Sequence, residues 1–437
     1  MRSGLPALAA VVLLAAACAS PPETTPAATI APSTTAAPAR AFAEAAPTST
    51  TSEPVAVELR TGADRVVADD FEAWAGLRVG LIVHTNSTVD GRHLADLVAE
   101  SERVELAALF GPEHGVRGTA GAGEPVADET DPTGVPIHSL YGATRQPTTE
   151  MLEGIDLLVY DLQDVGARWF TYIATMGLAM QAAAEHDLPF VVLERPNPLG
   201  RTVTPGAVRN PDVDSFIAPY PIADLYGLTS AELALAIVGE GWLDGLADLD
   251  LRVVTMDGWN PNDRWADLDR PWVAPSPSLT TVESSLLYPA TVLFESTTLS
   301  IGRGTVAPFT LFGHPDMDAE RIADELEASG LPGVGFRAVE FVAPVDPHEG
   351  QTVHAVQIDV LDHRAVDPGP LGVHLLSTVL RVEGAGVLDR PDFLDLLAGG
   401  PELRTALAEG APATDIIDAR TTEGDAFRLL MQPYLLH

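Results

Sequence analysis

The residues able to hold or move charge fall in short polar stretches, each following an apolar run. Leu109 to Gly118 reads Leu-Phe-Gly-Pro-Glu-His-Gly-Val-Arg-Gly and offers Glu113, His114 and Arg117 among four chain-breaking glycines and prolines. Three more such ends carry His84-Thr85-Asn86, then Asp161, Gln163, Asp164 and Arg168, then Glu194-Arg195-Pro196-Asn197. Glu295 and Arg303 form a later group. Carboxylates dominate, and two of them facing one substrate are what hydrolysis of a glycosidic bond requires. One protonates the leaving oxygen, and the other activates water or stabilises positive charge at the anomeric carbon. A carboxyl beside an apolar strand end, crowded by other carboxylates, gains the raised pKa an acid needs. Other uses of these groups are open: Asp161 capping a helix, Glu194 pairing with Arg168 or Arg195, Arg117 in a structural ion pair.

Other chemistries lack their residues. The 437-residue chain has no lysine, which removes the P-loop lysine, the Schiff-base lysine and the Ser-Lys dyad. Its single cysteine is Cys18, and it has no Gly-x-Ser-x-Gly elbow. Gly121-Ala122-Gly123 lacks the third glycine and the following helix of a dinucleotide fingerprint, so no nucleotide cofactor is expected. Eleven histidines include no His-Glu-x-x-His or similar pair. Zinc held by His84, His114 and Asp161 is a minor alternative, and no metal is expected. A net charge of −37 opposes nucleic acid, whose phosphates need clustered cations.

The elements that would position these groups alternate between short apolar, β-branched runs and helical spacing. Strands are expected at 77–83, 104–110, 156–160, 189–193, 251–256 and 291–295, with helices at 94–102, 172–186 and 230–240 and a short helix end at 151–154. That alternation predicts an α/β fold with a mostly parallel sheet covered by helices on both faces, whose ligands bind past the carboxyl ends of the strands. From about residue 316 the pattern becomes a smaller α+β unit, with helices at 319–329 and 371–382 and a strand at 354–361. The boundary between the two domains, 56–285 and 286–437, is expected near residue 285.

Residues 1–18 read as a lipoprotein-type signal: Arg2, an apolar stretch from Leu5 to Leu14, three alanines, then Cys18 for acylation. An ordinary secretory signal is the alternative. Residues 19–55, rich in Pro, Thr, Ala and Ser, cannot bury a core and are expected to act as a disordered tether. The only membrane contact expected is this anchor, which places the protein in the cell envelope or, without the lipid, outside the cell.

Four ordered motifs, Phe-Gly-Pro-Glu-His-Gly-Val-Arg-Gly at 110–118, Tyr-Asp-Leu-Gln-Asp-Val-Gly-Ala-Arg at 160–168, Glu-Arg-Pro-Asn-Pro at 194–198 and Gly-Arg-Gly-Thr at 302–305, resemble the bacterial exo-β-N-acetylmuramidases of the NamZ type. The resemblance runs from about residue 77 to the C-terminus. It implies a Rossmann-like catalytic domain, a smaller auxiliary domain, and release of N-acetylmuramic acid from the non-reducing ends of peptidoglycan fragments without cofactor or metal. Its partners would be peptidoglycan-derived glycans or muropeptides. Carried over by motif, Glu113 is the catalytic acid and Glu194 the second carboxylate, with Glu295 its rival. His114, Arg117, Asp161, Gln163, Asp164, Arg168, Asn197, Glu295 and Arg303 would meet the substrate. The sugar's lactyl carboxylate suits a planar guanidinium, for which Arg117, Arg168 and Arg303 are the candidates. The sequence departs from the family pattern at Glu194, often Asp, at Glu-Ser-Thr-Thr 295–298 in place of Glu-Gly-Thr-Asn, and at Tyr226, where a cation is usual. Two rivals stand beside this reading: a glycosidase for another 2-acetamido sugar, and a non-catalytic lipoprotein that binds wall glycans.

Overall fold

The computed structural model describes residues 58–437 apart from 119, 122, 125 and 214. The expected signal, Cys18 and the expected tether lie outside the described residues. Chain order begins with α1 (Gly62–Ala68), β1 (Arg78–Val83), α2 (Leu94–Glu100), β2 (Glu105–Gly111), β3 (Pro136–Ser139), β4 (Leu157–Asp161), α3 (Tyr172–Glu185), β5 (Phe190–Leu193), α4 (Ser230–Gly239) and β6 (Leu251–Val254). The six strands make a parallel sheet in the order β3-β2-β1-β4-β5-β6, and a two-residue strand, Glu129–Thr130, adds antiparallel to the β3 edge. The chain therefore builds outward from β1 to one side, then returns to β4 on the other. That reversal puts the switch point, where an α/β sheet opens a crevice, between β1 and β4.

The central strands are buried on both faces, which is why they read as continuous apolar runs rather than as alternations. Side chains of opposite parity feed two separate cores. Leu81, Val83, Leu109, Val159 and Leu193 pack beneath α1 and α2 through Ala63, Val66, Leu94 and Val98. Ile82, Phe110, Leu158, Tyr160 and Val192 meet α3 and α4 through Ile173, Met176, Met180, Leu233 and Ile237. Ten residues of α3 are buried and it is mostly alanine, glycine and methionine, so it lies close against the sheet.

The second part begins with α5 (Val282–Thr291) and runs through β7 (Leu311–His314), α6 (Ala319–Ala328), β8 (Val334–Val342), β9 (Thr352–Val360), α7 (Pro368–Glu383), α8 (Pro391–Ala398), α9 (Glu402–Ala408) and α10 (Ala413–Met431). Its antiparallel sheet has the order β7-β9-β8, with Phe312 opposite Val356 and Phe336 opposite Ile358. Leu287, Phe294, Phe312, Leu326 and Leu376 from this part join the core under α3 and α4. The fold is thus α/β with a second, smaller α+β portion.

Two expected elements differ. Residues 291–295 are the end of α5 and a 3-10 turn, Val292–Ser296, not a strand. The run from Leu286 to Phe294 is buried all round, so its apolar pattern carries no period that separates strand from helix. Residues 151–154 form hydrogen-bonded turns with Leu152 donating to Thr148, and no helix follows from them.

Candidate active site

The chain leaves β2 at Gly111 and turns through Pro112, and this turn delivers Glu113 half-buried at the sheet's carboxyl edge. Thr171, just ahead of α3, donates its hydroxyl to Glu113 Oε2 at 2.7 Å, and the Gly123 N–H donates to Oε1 at 2.9 Å. Tyr141 donates its hydroxyl to the same carboxylate. Burial, then the Glu113 charge and this hydrogen bond, pushes Tyr141 up to about 12. The Tyr172 hydroxyl sits 3.5 Å from the Glu113 carbonyl oxygen and donates to that of Pro275 at 2.7 Å.

The two histidines nearest this carboxylate are neutral. His84, at the end of β1, lies 5.7 Å ring to ring from Tyr172 and 6.2 Å from His114. Burial holds His84 down to about 3, with His114 and His93 adding repulsion, so its imidazole is uncharged. His114, held with φ near 74° and with Nδ1 3.1 Å from the Ala120 carbonyl, is also pushed below the usual imidazole range by burial.

Two further carboxylates share the neighbourhood. Asp164 is buried, its Oδ1 accepting from the Val165 and Gly166 N–H groups and its Oδ2 from the Tyr226 hydroxyl. Burial outweighs those donors and pushes it up to about 6. Glu295 stands in the turn after α5, paired with Arg303, which also donates to Ser278 Oγ at 3.1 Å and lies 4.9 Å from the Phe309 ring centre. Burial pushes the Tyr288 hydroxyl well above its usual range, and the charges of Glu295, Glu113 and Asp164 push it the same way while Arg303 opposes them.

Glu194 is not brought to this group. β5 lies three strands from β2 in the sheet, roughly 14 Å at ordinary strand spacing. Its carboxylate is fully buried and spent on Thr229 Oγ1 at 2.6 Å, the Met256 N–H at 2.8 Å and His437 Nε2 at 2.9 Å. The expected pairing with Glu113 is therefore corrected: Glu194 holds His437 to the sheet. Arg117 and Arg168 are corrected in the same way, because neither has a guanidinium to offer. Arg117 is divided between Asp96 at 2.8 Å and Asp131 at 3.0 Å. Arg168 is fully buried on Asp224 at 2.7 Å and the carbonyls of Ile222 and Leu397, each at 2.9 Å.

Asp161 is fully buried in a two-pronged pair with Arg195 at 2.6 and 2.8 Å, so it braces the ends of β4 and β5. Gln163 donates to the Asp164 and Pro196 carbonyls at 2.8 Å, and its Oε1 has no partner among the described residues. Asn197 spans Leu228 and Leu199 at 3.0 Å and presses against Gly166, where an added Cβ would lie 2.3 Å from Asn197 Oδ1. Gly166 (φ 74°) is required there. Sequence reasoning missed Tyr141, Thr171, Tyr172 and Tyr288. For Tyr141 the signal was present but short: the four-residue β3 opens on a proline and ends one residue before Leu140-Tyr141. Among the described residues no group of three His, Cys, Asp or Glu side chains has metal-site geometry. A cavity of about 530 Å³ lies elsewhere, between residues 207–211 and α8 to α10.

Two family models match the chain: exo-β-N-acetylmuramidase NamZ, N-terminal, over residues 79–283, and exo-β-N-acetylmuramidase NamZ, C-terminal, over 286–437. The peptidoglycan β-N-acetylmuramidase NamZ of Bacillus subtilis (strain 168) is 39% identical over 386 residues, which cover 87% of this chain and 92% of that protein. Crystal structures of two DUF1343 family proteins from Bacteroides fragilis NCTC 9343 superpose with TM-scores of 0.80 and 0.73, at 35% and 29% identity. Each covers 87% of this chain and 99% of its own.

Proposed function

The chain belongs to the NamZ family of exo-β-N-acetylmuramidases, and from that premise we propose that it is a glycoside hydrolase releasing N-acetylmuramic acid from the non-reducing ends of peptidoglycan fragments. The observation that carries the reading is Glu113: a half-buried carboxylate at a strand end, held by Thr171, Gly123 and Tyr141 with two other carboxylates near it. Glu113 gives its proton to the leaving oxygen as the bond to the anomeric carbon breaks. Water adds to that carbon and returns a proton to the site. Glu295, held by Arg303, is the second carboxylate, facing the positive charge that develops on the ring. Asp164 and Gln163 orient sugar hydroxyls or water. In this reading residues 56–285 carry the acid, and residues 286–437 contribute Glu295 and Arg303.

The test is turnover of a 4-nitrophenyl N-acetyl-β-muramide. The wild-type protein releases nitrophenol, and Glu113→Gln loses on the order of 10²- to 10⁴-fold in kcat while still binding the sugar. A wild-type protein without turnover, or a Glu113→Gln variant that keeps it, overturns the reading.

An envelope location through acylated Cys18 is part of the same proposal, supported by the order of charge, apolar stretch and small residues in 1–18. Cys18→Ala then moves the protein from the membrane fraction to the soluble one.

A further inference from the structure

The guanidinium groups near Glu113 are almost all committed. Arg117 is held by two aspartates, Arg168 and Arg195 are buried in pairs, and Arg303 is tied to Glu295. Arg145 differs. It is exposed and forms no ion pair or hydrogen bond among the described residues; it lies over the face of Phe216, whose ring centre is 4.4 Å from Cζ. Phe216 in turn packs on Tyr141, ring centres 6.0 Å apart, and Tyr141 is the residue whose hydroxyl donates to Glu113. Arg145 is also close enough for its charge to act on that hydroxyl.

Arg145 is thus a hydrated cation with its donors open to a ligand, in a chain whose net charge of −37 leaves few positive groups to meet an anionic substrate. Stacking on an aromatic face fixes the plane of a guanidinium and leaves its N–H edge free for a two-pronged carboxylate. The substrate class offers that group: N-acetylmuramic acid differs from N-acetylglucosamine by a lactyl ether ending in a carboxylate. The surrounding negative charge repels such a substrate, so a dedicated cation beside the acid is what would admit it.

We propose that Arg145, stacked on Phe216 next to the Tyr141–Glu113 hydrogen bond, binds the lactyl carboxylate and is the residue by which the site selects a muramide. The proposal rests on the hydrolase reading above and names the part of the site that reads the substrate's charge. Tyr141 and Phe216 supply the apolar wall against which the sugar lies, and Arg145 closes its far side.

The experiment compares wild type, Arg145→Gln and Arg145→Lys on two glycosides: 4-nitrophenyl N-acetyl-β-muramide and the same compound with its lactyl carboxylate capped as a methylamide. For the free carboxylate, Arg145→Gln lowers kcat/KM about tenfold to a hundredfold, the worth of a charge-assisted hydrogen bond, and Arg145→Lys recovers part of the loss. For the methylamide the three proteins turn over alike. Equal losses on both glycosides make Arg145 a packing residue and overturn the proposal, as does no loss on either. A wild-type protein inactive on both glycosides removes the hydrolase reading itself. An active wild type with an indifferent Arg145→Gln removes only the role of Arg145.

Discussion

Thr171 donates its hydroxyl to Glu113 across 2.7 Å, joining the start of α3 to the turn after β2. The two residues are 58 apart in sequence, and β1 lies between their strands, so the bond fixes the carboxylate from across the switch point. A carboxylate on a turn swings freely unless its oxygens are held. Here one oxygen is held by the turn's own loop at Gly123 and the other by the helix at Thr171.

Removing the second hold isolates its effect. Thr171→Val keeps the shape and deletes the donor, and kcat falls about tenfold with KM within twofold, the size of one hydrogen bond acting on the reacting group. Thr171→Ser restores most of the rate. Steady-state kinetics on the nitrophenyl muramide measure both, and a Thr171→Val enzyme with unchanged kcat would show that the bond does not position Glu113.

Asp164 predicts a pH dependence of stability. Burial pushes its folded pKa up to about 6, against about 3.9 in an unfolded chain. Between those values the folded protein binds the extra proton, so this residue's contribution to stability falls as pH rises through the window and stays low above it. Asp164→Asn avoids the buried charge. Its carbonyl still accepts from Val165 and Gly166, and the Tyr226 hydroxyl turns to accept from the amide. Thermal melts from pH 4 to 8 should find the variant gaining on wild type as pH rises and level with it above pH 7 or better. A gap that does not change with pH sinks this account.

The legible parts of the molecule were those set by local pattern. Buried parallel strands announce themselves as apolar runs, and Glu113 stood out because glycines and a proline punctuate the chain around it. Relationships that depend on distant partners were not legible. Whether Arg117 and Arg168 meet substrate or a structural partner depends on Asp131 and Asp224, which the fold brings to them. Tyr141 was hidden by a strand too short to read, and Glu295 was placed on a strand when it sits in a helical turn. Glu194 misled most, since its strand end looks like the others and its partner His437 is 243 residues away.

That last pairing separates the two candidates for the second carboxylate. Glu194 has no exposed surface and three partners, one of them His437, whose pKa is raised by the Glu194 hydrogen bond despite burial. A raised histidine contributes stability that is complete below its unfolded pKa of about 6.5 and is lost as pH climbs through the folded value. Glu194→Gln should therefore cost about 1–3 kcal/mol of stability at pH 6 and less at pH 9, with kcat of the folded enzyme within threefold of wild type. Glu295→Gln should do the reverse, lowering kcat on the order of a hundredfold or more with a small change in stability, because its side chain stands on Arg303 in the turn after α5 rather than inside the sheet's edge. Urea melts of both variants at the two pH values, run beside turnover of the nitrophenyl muramide, measure these effects. If Glu194→Gln abolishes turnover in a protein that melts like wild type, the second carboxylate is Glu194 after all, and the site must extend across β1 and β4 to reach it.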